Sequence, residues 1–113
     1  MPYIAINTTE KLSNEKKDTI KSELGRLIAV IPTKNESGLL IDFSGDHSFY
    51  RAGTPVNGAY VEIRLFHKSD FEPKKKFTEG VFDLLSKELG IDKGHMVLNI
   101  IELENWGGGG TLK

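Results

Sequence analysis

Pro2 is the residue in this chain with the least ordinary chemical potential. An aminopeptidase is expected to remove Met1 ahead of so small a neighbour, leaving Pro2 as a secondary amine at the chain start. A free α-amino group titrates at about 7.7 to 8.0, and burial beside cations penalises its charged form, so a value of about 6 to 7 is within reach. Such an amine can take a proton from carbon at neutral pH. A retained Met1 would make the same nitrogen an amide, which is not a base. Met-Pro is also a common chain start, so the dipeptide alone assigns no activity.

The other reactive residue types offer less. There is no Cys, which removes disulfides, thiolate ligands and thiol nucleophiles together. His47, His67 and His95 lack the i, i+4 spacing of metal ligands on one helix face, so no metal site is expected and they read as surface histidines. Asp46-His47-Ser48 has the letters of a catalytic triad, but sequence neighbours cannot aim their side chains at one another as that mechanism requires. Gly107 to Gly110 has no preceding strand at the right spacing and no following helix to hold a phosphate, so it reads as a flexible tail with Trp106 as its anchor. No cofactor is implied.

With 15 Lys and Arg against 16 Asp and Glu in 113 residues, no broad field draws in nucleic acid or an anionic membrane, and neither is expected as a partner. The length suits one domain over residues 1–113. No apolar run approaches the ~20 residues needed to span a bilayer, and acids and polar residues by Glu10 leave no visible signal peptide. A cytoplasmic location is the default expectation, with unconventional secretion invisible at this level.

The elements that position Pro2 can be read from periodicity. Tyr3 to Asn7 is a strand that begins almost at Pro2. Ser13 caps a helix whose apolar face carries Ile20, Leu24, Leu27, Ile28 and Ile31, and Pro32 stops it. After a turn over Thr33 to Gly38, Leu39 to Phe43 is a short buried strand. Residues 44–58, with Gly45, Gly53, Pro55 and Gly58, suggest loops around one short strand. Ala59 to Phe66 alternates cleanly, placing Ala59, Val61, Ile63 and Leu65 on one face. Asp70 and Pro73 open a second helix that carries Phe77, Val81, Leu84, Leu85 and Leu89 and ends before Gly90. Lys74, Lys75 and Lys76 read as its solvated face. Met96 to Leu103 is the last strand.

The halves share one plan, so the expected class is α+β: two βαβ units forming a four-stranded mixed sheet with two helices on one face. The strands at Leu39 to Phe43 and Met96 to Leu103 look apolar on both sides, which suggests that other subunits cover the second sheet face.

Pro2 leading into an apolar strand, Lys34 in Ile31-Pro32-Thr33-Lys34, the strand Ala59 to Phe66 and Leu98-Asn99-Ile100 together resemble the macrophage migration inhibitory factor (MIF) family of tautomerases, over nearly all of residues 2–106. The resemblance implies a homotrimer with Pro2 as general base and Lys34 as the cation that polarises the substrate's carboxylate or carbonyl. It implies a backbone donor and a pocket wall from Leu65 and Phe66, Asn99 contributed by a neighbouring subunit, and a tail tryptophan at Trp106. Arg64, on the same strand face as Phe66, would be a second cation near the pocket or a partner of Glu62 or Asp42. This chain departs from the family where Val97 replaces a phenol in the last strand, where the Cys-x-x-Cys is absent, and in a shorter segment before Trp106.

The expected activity is keto–enol proton transfer on an α-keto acid such as an arylpyruvate. Two other readings share parts of the pattern. One is a MIF-like binding or signalling protein without relevant turnover. The other is a ferredoxin-like binding domain, which has the same βαββαβ order and needs no Pro2.

Overall fold

The computed structural model describes residues 2–113. Its elements follow the periodicities closely. Strand β1 (Tyr3–Thr8) alternates half-buried and buried residues, with Ile4 and Ile6 inward. Helix α1 (Asn14–Leu27) is capped by Ser13, whose Oγ accepts from Lys16 N–H at 3.1 Å and so satisfies one of the unpaired first-turn donors. A 3-10 turn over Ile28–Val30 continues the apolar stripe to Ile31 before Pro32. Strand β2 (Leu40–Ser44) then lies parallel to β1, with Tyr3 opposite Leu40.

Residues 44–58 hold two short strands where one was expected. β3 (Phe49–Arg51) and β4 (Thr54–Val56) form a hairpin across Ala52 and Gly53, both at positive φ. The pattern hid the pair because Pro55 lies inside β4, at an edge where its missing N–H costs nothing. Strand β5 (Ala59–Phe66) runs antiparallel to β1. Helix α2 (Phe71–Leu89) ends on Gly90, whose left-handed φ of 67° closes the C-terminus without a Cβ penalty. Strand β6 (Met96–Leu103) pairs in parallel with β5.

The sheet order is β2-β1-β5-β6, and α1 and α2 pack together over one face of it. Ile4, Ile6, Val61, Ile63 and Leu65 from the strands meet Ile20, Leu24, Phe77, Val81 and Leu85 from the helices in one core. Each βαβ unit places its two parallel strands side by side. A ferredoxin-like arrangement inserts another strand between them, so that reading falls.

The tail is more ordered than a glycine run suggests. β7 (Gly107–Gly108) and β8 (Thr111–Leu112) form a small hairpin turned by Gly109 and Gly110 at φ of 63° and 90°. Trp106 and Lys113 close it through two backbone hydrogen bonds of 3.0 and 2.9 Å.

The sheet face away from the helices carries Leu40, Tyr60, Val97, Ile101 and Leu103 exposed. It is not uniformly apolar, because a polar chain runs across its middle. Tyr3 Oη donates to Asp42 at 2.8 Å, the Arg64 guanidinium lies 5.9 Å from the Tyr3 ring centre, and Arg64 pairs with Glu62.

Candidate functional site

Pro2 is buried at the start of β1, and its carbonyl accepts from Leu40 N–H at 3.0 Å. Tyr3 stands opposite Arg64 across the β1–β5 ladder, so continuing the register by one residue sets Pro2 beside Leu65. Leu65 is fully buried beneath the sheet, and Phe66 is half-buried. Removal of Met1 concerns a residue outside those described.

Lys34 reaches the same place from the loop after α1. Its N–H donates to Ile31 O at 3.1 Å, and its Nζ donates to Phe66 O at 2.7 Å. An ammonium carries three donors, so this bond leaves capacity for a ligand carboxylate. Both ends of the contact are flanked by non-glycine residues in the left-handed region, Thr33 at φ 69° and His67 at φ 72°. A β-branched residue seldom adopts that conformation, and each such position costs about 1 to 3 kcal/mol. The strain is localised on the two turns that bring Lys34 and Phe66 together.

The walls are aromatic and apolar. Phe66 stacks on His67 with ring centres 3.7 Å apart and faces Trp106 at 6.3 Å. A cavity of about 380 Å³ opens on the helix-free face at this end of the sheet between Tyr3, Leu40, Arg64, Leu103, Asn105 and Trp106; of the residues read from the sequence for the substrate pocket, Trp106 lines it and Pro2, Lys34 and Phe66 do not. Arg64 is held by two bonds to Glu62, of 2.8 and 2.6 Å, the pairing favoured for it from the sequence, made within one strand rather than across two. The hydrogen bond to Asp42, aided by burial, pushes the Tyr3 phenol above its ordinary value despite the opposing Arg64 charge.

The site residues read from the sequence therefore divide. Pro2, Lys34, Leu65, Phe66 and Trp106 meet at one end of the sheet. Val97 and Asn99 do not join them within the chain. Val97 stands opposite Tyr60 and Leu103 opposite Phe66, a separation of about 20 Å at about 3.3 Å per residue. At that far end Asn7, Tyr50, Arg51, Tyr60, His95 and Val97 line a separate cavity of about 310 Å³. Asn99 donates from Nδ2 to Tyr60 Oη at 2.6 Å, and its Oδ1 is buried without a partner among the described residues.

Tyr3, Leu40, Leu103 and Asn105 belong to the cavity but were not singled out by sequence. Strand alternation carried a signal for the first two, since it puts them on the face shared by Arg64 and Phe66. In the cluster read as solvated, Lys75 and Lys76 are exposed, but Lys74 is not: it bonds Glu102 at 3.0 Å and its side chain is only 18% exposed. Asp70 occupies the α2 cap position without a side-chain capping bond. Among the described residues, no three His, Asp or Glu side chains gather as metal ligands, and no helix is long and apolar enough to cross a membrane.

This mixed sheet under two helices is the α+β architecture of MIF and tautomerase structures. The chain is similar to MIF2 of Leishmania major, with a TM-score of 0.93 and 19% identity, covering 100% of this chain and 97% of that one. It is similar also to a MIF-like protein of Entamoeba histolytica, with a TM-score of 0.85 and 20% identity over 99% and 98% of the two chains. A third likeness is to Pt0534 in a form inactivated by 2-oxo-3-pentynoate, with a TM-score of 0.83 and 16% identity over 96% and 93%. No curated protein sequence matches the chain. The family model "Macrophage migration inhibitory factor (MIF)" matches residues 1–111, and the chain belongs to the MIF family.

Proposed function

We propose that this chain is a keto–enol tautomerase acting on an α-keto acid, with Pro2 as the base once Met1 is removed. The observation that carries the reading is the meeting of buried Pro2, the Lys34 ammonium and the Phe66 carbonyl at one end of the sheet. The Pro2 nitrogen takes a proton from the carbon next to the substrate carbonyl, and the C–H electron pair becomes the enolate double bond. The carbonyl oxygen receives the charge and then a proton returned from the protonated Pro2 nitrogen, directly or through water, which completes keto-to-enol transfer and restores the free amine. Lys34 holds the carboxylate with the donors that Phe66 leaves free, and Phe66 and Trp106 receive an apolar or aromatic substituent.

The active form is a homotrimer in this reading. Along β6, Val97 stands about 20 Å and Asn99 about 13 Å from the Phe66 end at about 3.3 Å per residue, so in this reading each site takes them from a neighbouring copy. The exposed apolar Val97, Ile101 and Leu103 support a face completed by another copy.

A specific observation favours a second reading, in which the protein binds such acids without relevant turnover. Val97 offers no O–H where the family's phenol aligns, so one donor to the substrate is absent.

Inactivation of Pt0534 by 2-oxo-3-pentynoate suggests the test. The conjugated alkyne of that acid adds an amine, so the processed protein should gain the reagent's mass on the peptide that begins with Pro2 and should enolise phenylpyruvate. A modified but inactive protein favours the binding reading. No addition at Pro2 and no turnover would remove the enzyme reading. Light scattering should give three times the chain mass, and a stable monomer at micromolar concentration would contradict the trimer.

A further inference from the structure

The helix-facing positions of β6 are Met96, Leu98, Ile100 and Glu102, three apolar residues and then an acid. Such a break in pattern at a half-buried position requires compensation. Glu102 Oε2 accepts from Ser69 N–H at 2.6 Å, and Oε1 accepts from Lys74 Nζ at 3.0 Å. The Glu102 and Lys74 side chains are 22% and 18% exposed, so water screens the pair weakly.

These contacts converge on the turn that follows β5. That turn leaves the sheet at His67, in the left-handed region, whose N–H donates to Leu103 O at 2.9 Å. The preceding carbonyl is Phe66 O, the acceptor of the Lys34 ammonium. Asp70 makes no side-chain capping bond, so Ser69 and Lys74 tie the start of α2 to β6 through Glu102.

We infer that Glu102 is a positioning residue for Lys34: by fixing the Phe66 to Asp70 turn it sets the carbonyl that holds the ammonium in place. The contact network supplies a reason for a charged residue here. A strained turn needs restraint on both sides, and Leu103 O and the Glu102 carboxylate provide it. Burial alone would push the Glu102 carboxyl up, but the Ser69 N–H, Lys74 and Lys68 together hold it below the usual carboxylate range.

The inference rests on the tautomerase reading for its kinetic test and on the turn alone for its second test. Glu102→Ala should raise KM for phenylpyruvate about 3- to 10-fold while kcat changes less than about twofold. Glu102→Gln retains an acceptor for Ser69 N–H and should recover most of that loss. In a Lys34→Ala background Glu102→Ala should add little further, because the residue through which it acts is gone. Equal KM losses in both backgrounds, or lowered stability with KM unchanged, would overturn the inference and leave Glu102 a stability residue. Amide hydrogen exchange at His67 and Ser69 should accelerate in Glu102→Ala relative to the amides of β1. If the wild type turns over no α-keto acid, the tautomerase reading fails and the exchange result alone decides whether Glu102 holds the turn. Unchanged exchange would overturn it.

Discussion

Removing the Lys34 ammonium tests whether its position has functional value. Nζ lies 2.7 Å from Phe66 O with its other donors uncommitted to that bond, so a substrate carboxylate can be added without breaking it. A hydrogen bond to a charged group contributes about 1.5 to 3 kcal/mol, which corresponds to about a 10- to 150-fold change in binding. Lys34 is half-buried, and solvent access places the expectation near the lower end, at about 10-fold. Lys34→Ala and Lys34→Met should therefore both raise KM for phenylpyruvate about 10-fold or more, followed by the ultraviolet absorbance of the enol. The Met variant keeps an apolar stem, so agreement between the two assigns the loss to the charge. Phe66 O lies in a half-buried turn within reach of water, so stability should fall by no more than about 1 kcal/mol in urea. Unchanged KM in both variants would refute the assignment and move the carboxylate to Arg64 or another group.

Tyr3 should ionise above the ordinary phenol range in a spectrophotometric titration, and Asp42→Ala should bring it back toward that range. Because its folded value is raised, the stability tied to this proton is fully present below the unfolded value and is lost as pH rises through the folded one. The wild type should thus lose more stability than Asp42→Ala in alkaline denaturation; parallel curves would contradict this. Phe77 is fully buried between α2 and the sheet, so Phe77→Ala should cost about 3 to 5 kcal/mol by chemical denaturation. A loss under about 1 kcal/mol would show that the core relaxes around the cavity.

The parts of the fold that bury apolar residues at regular spacing were legible. β5 and β6 were read to the residue because their ends coincide with Gly58 and the turn at His67, and with the Lys93–His95 3-10 turn before Met96. Ser13 and Gly90 were legible because a cap and a left-handed stop each demand particular residue types. The β3–β4 and β7–β8 hairpins were not, since strands of two or three residues show no alternation and owe their existence to turn geometry. Lys74 was misread for a different reason: its partner Glu102 is 28 residues away in sequence, on the helix-facing side of β6, and only the packing of α2 over that strand brings them together.

The candidate site was partly legible on the same terms. Pro2 was legible from its own chemistry as a secondary amine, its role and Lys34 came through family resemblance, and the structure supplies the register and the Phe66 carbonyl that join their neighbourhoods. The separation of Val97 and Asn99 from Pro2 depends on how far along β6 each one stands; the resemblance implied it for Asn99, and residue types alone gave it for neither.

The central claim is that the Pro2 nitrogen takes the proton, and it is tested by comparing two forms of the same protein that differ only in Met1. Intact mass establishes which form is in hand, and enolisation of phenylpyruvate is then measured for each across pH. The processed form should be active, with a rate that rises with pH through a value below the ordinary α-amino range, because burial and the nearby Lys34 cation penalise the protonated amine. The Met1-retaining form should be inactive, since its Pro2 nitrogen is an amide. Equal turnover by the two forms would contradict the account and place the base elsewhere.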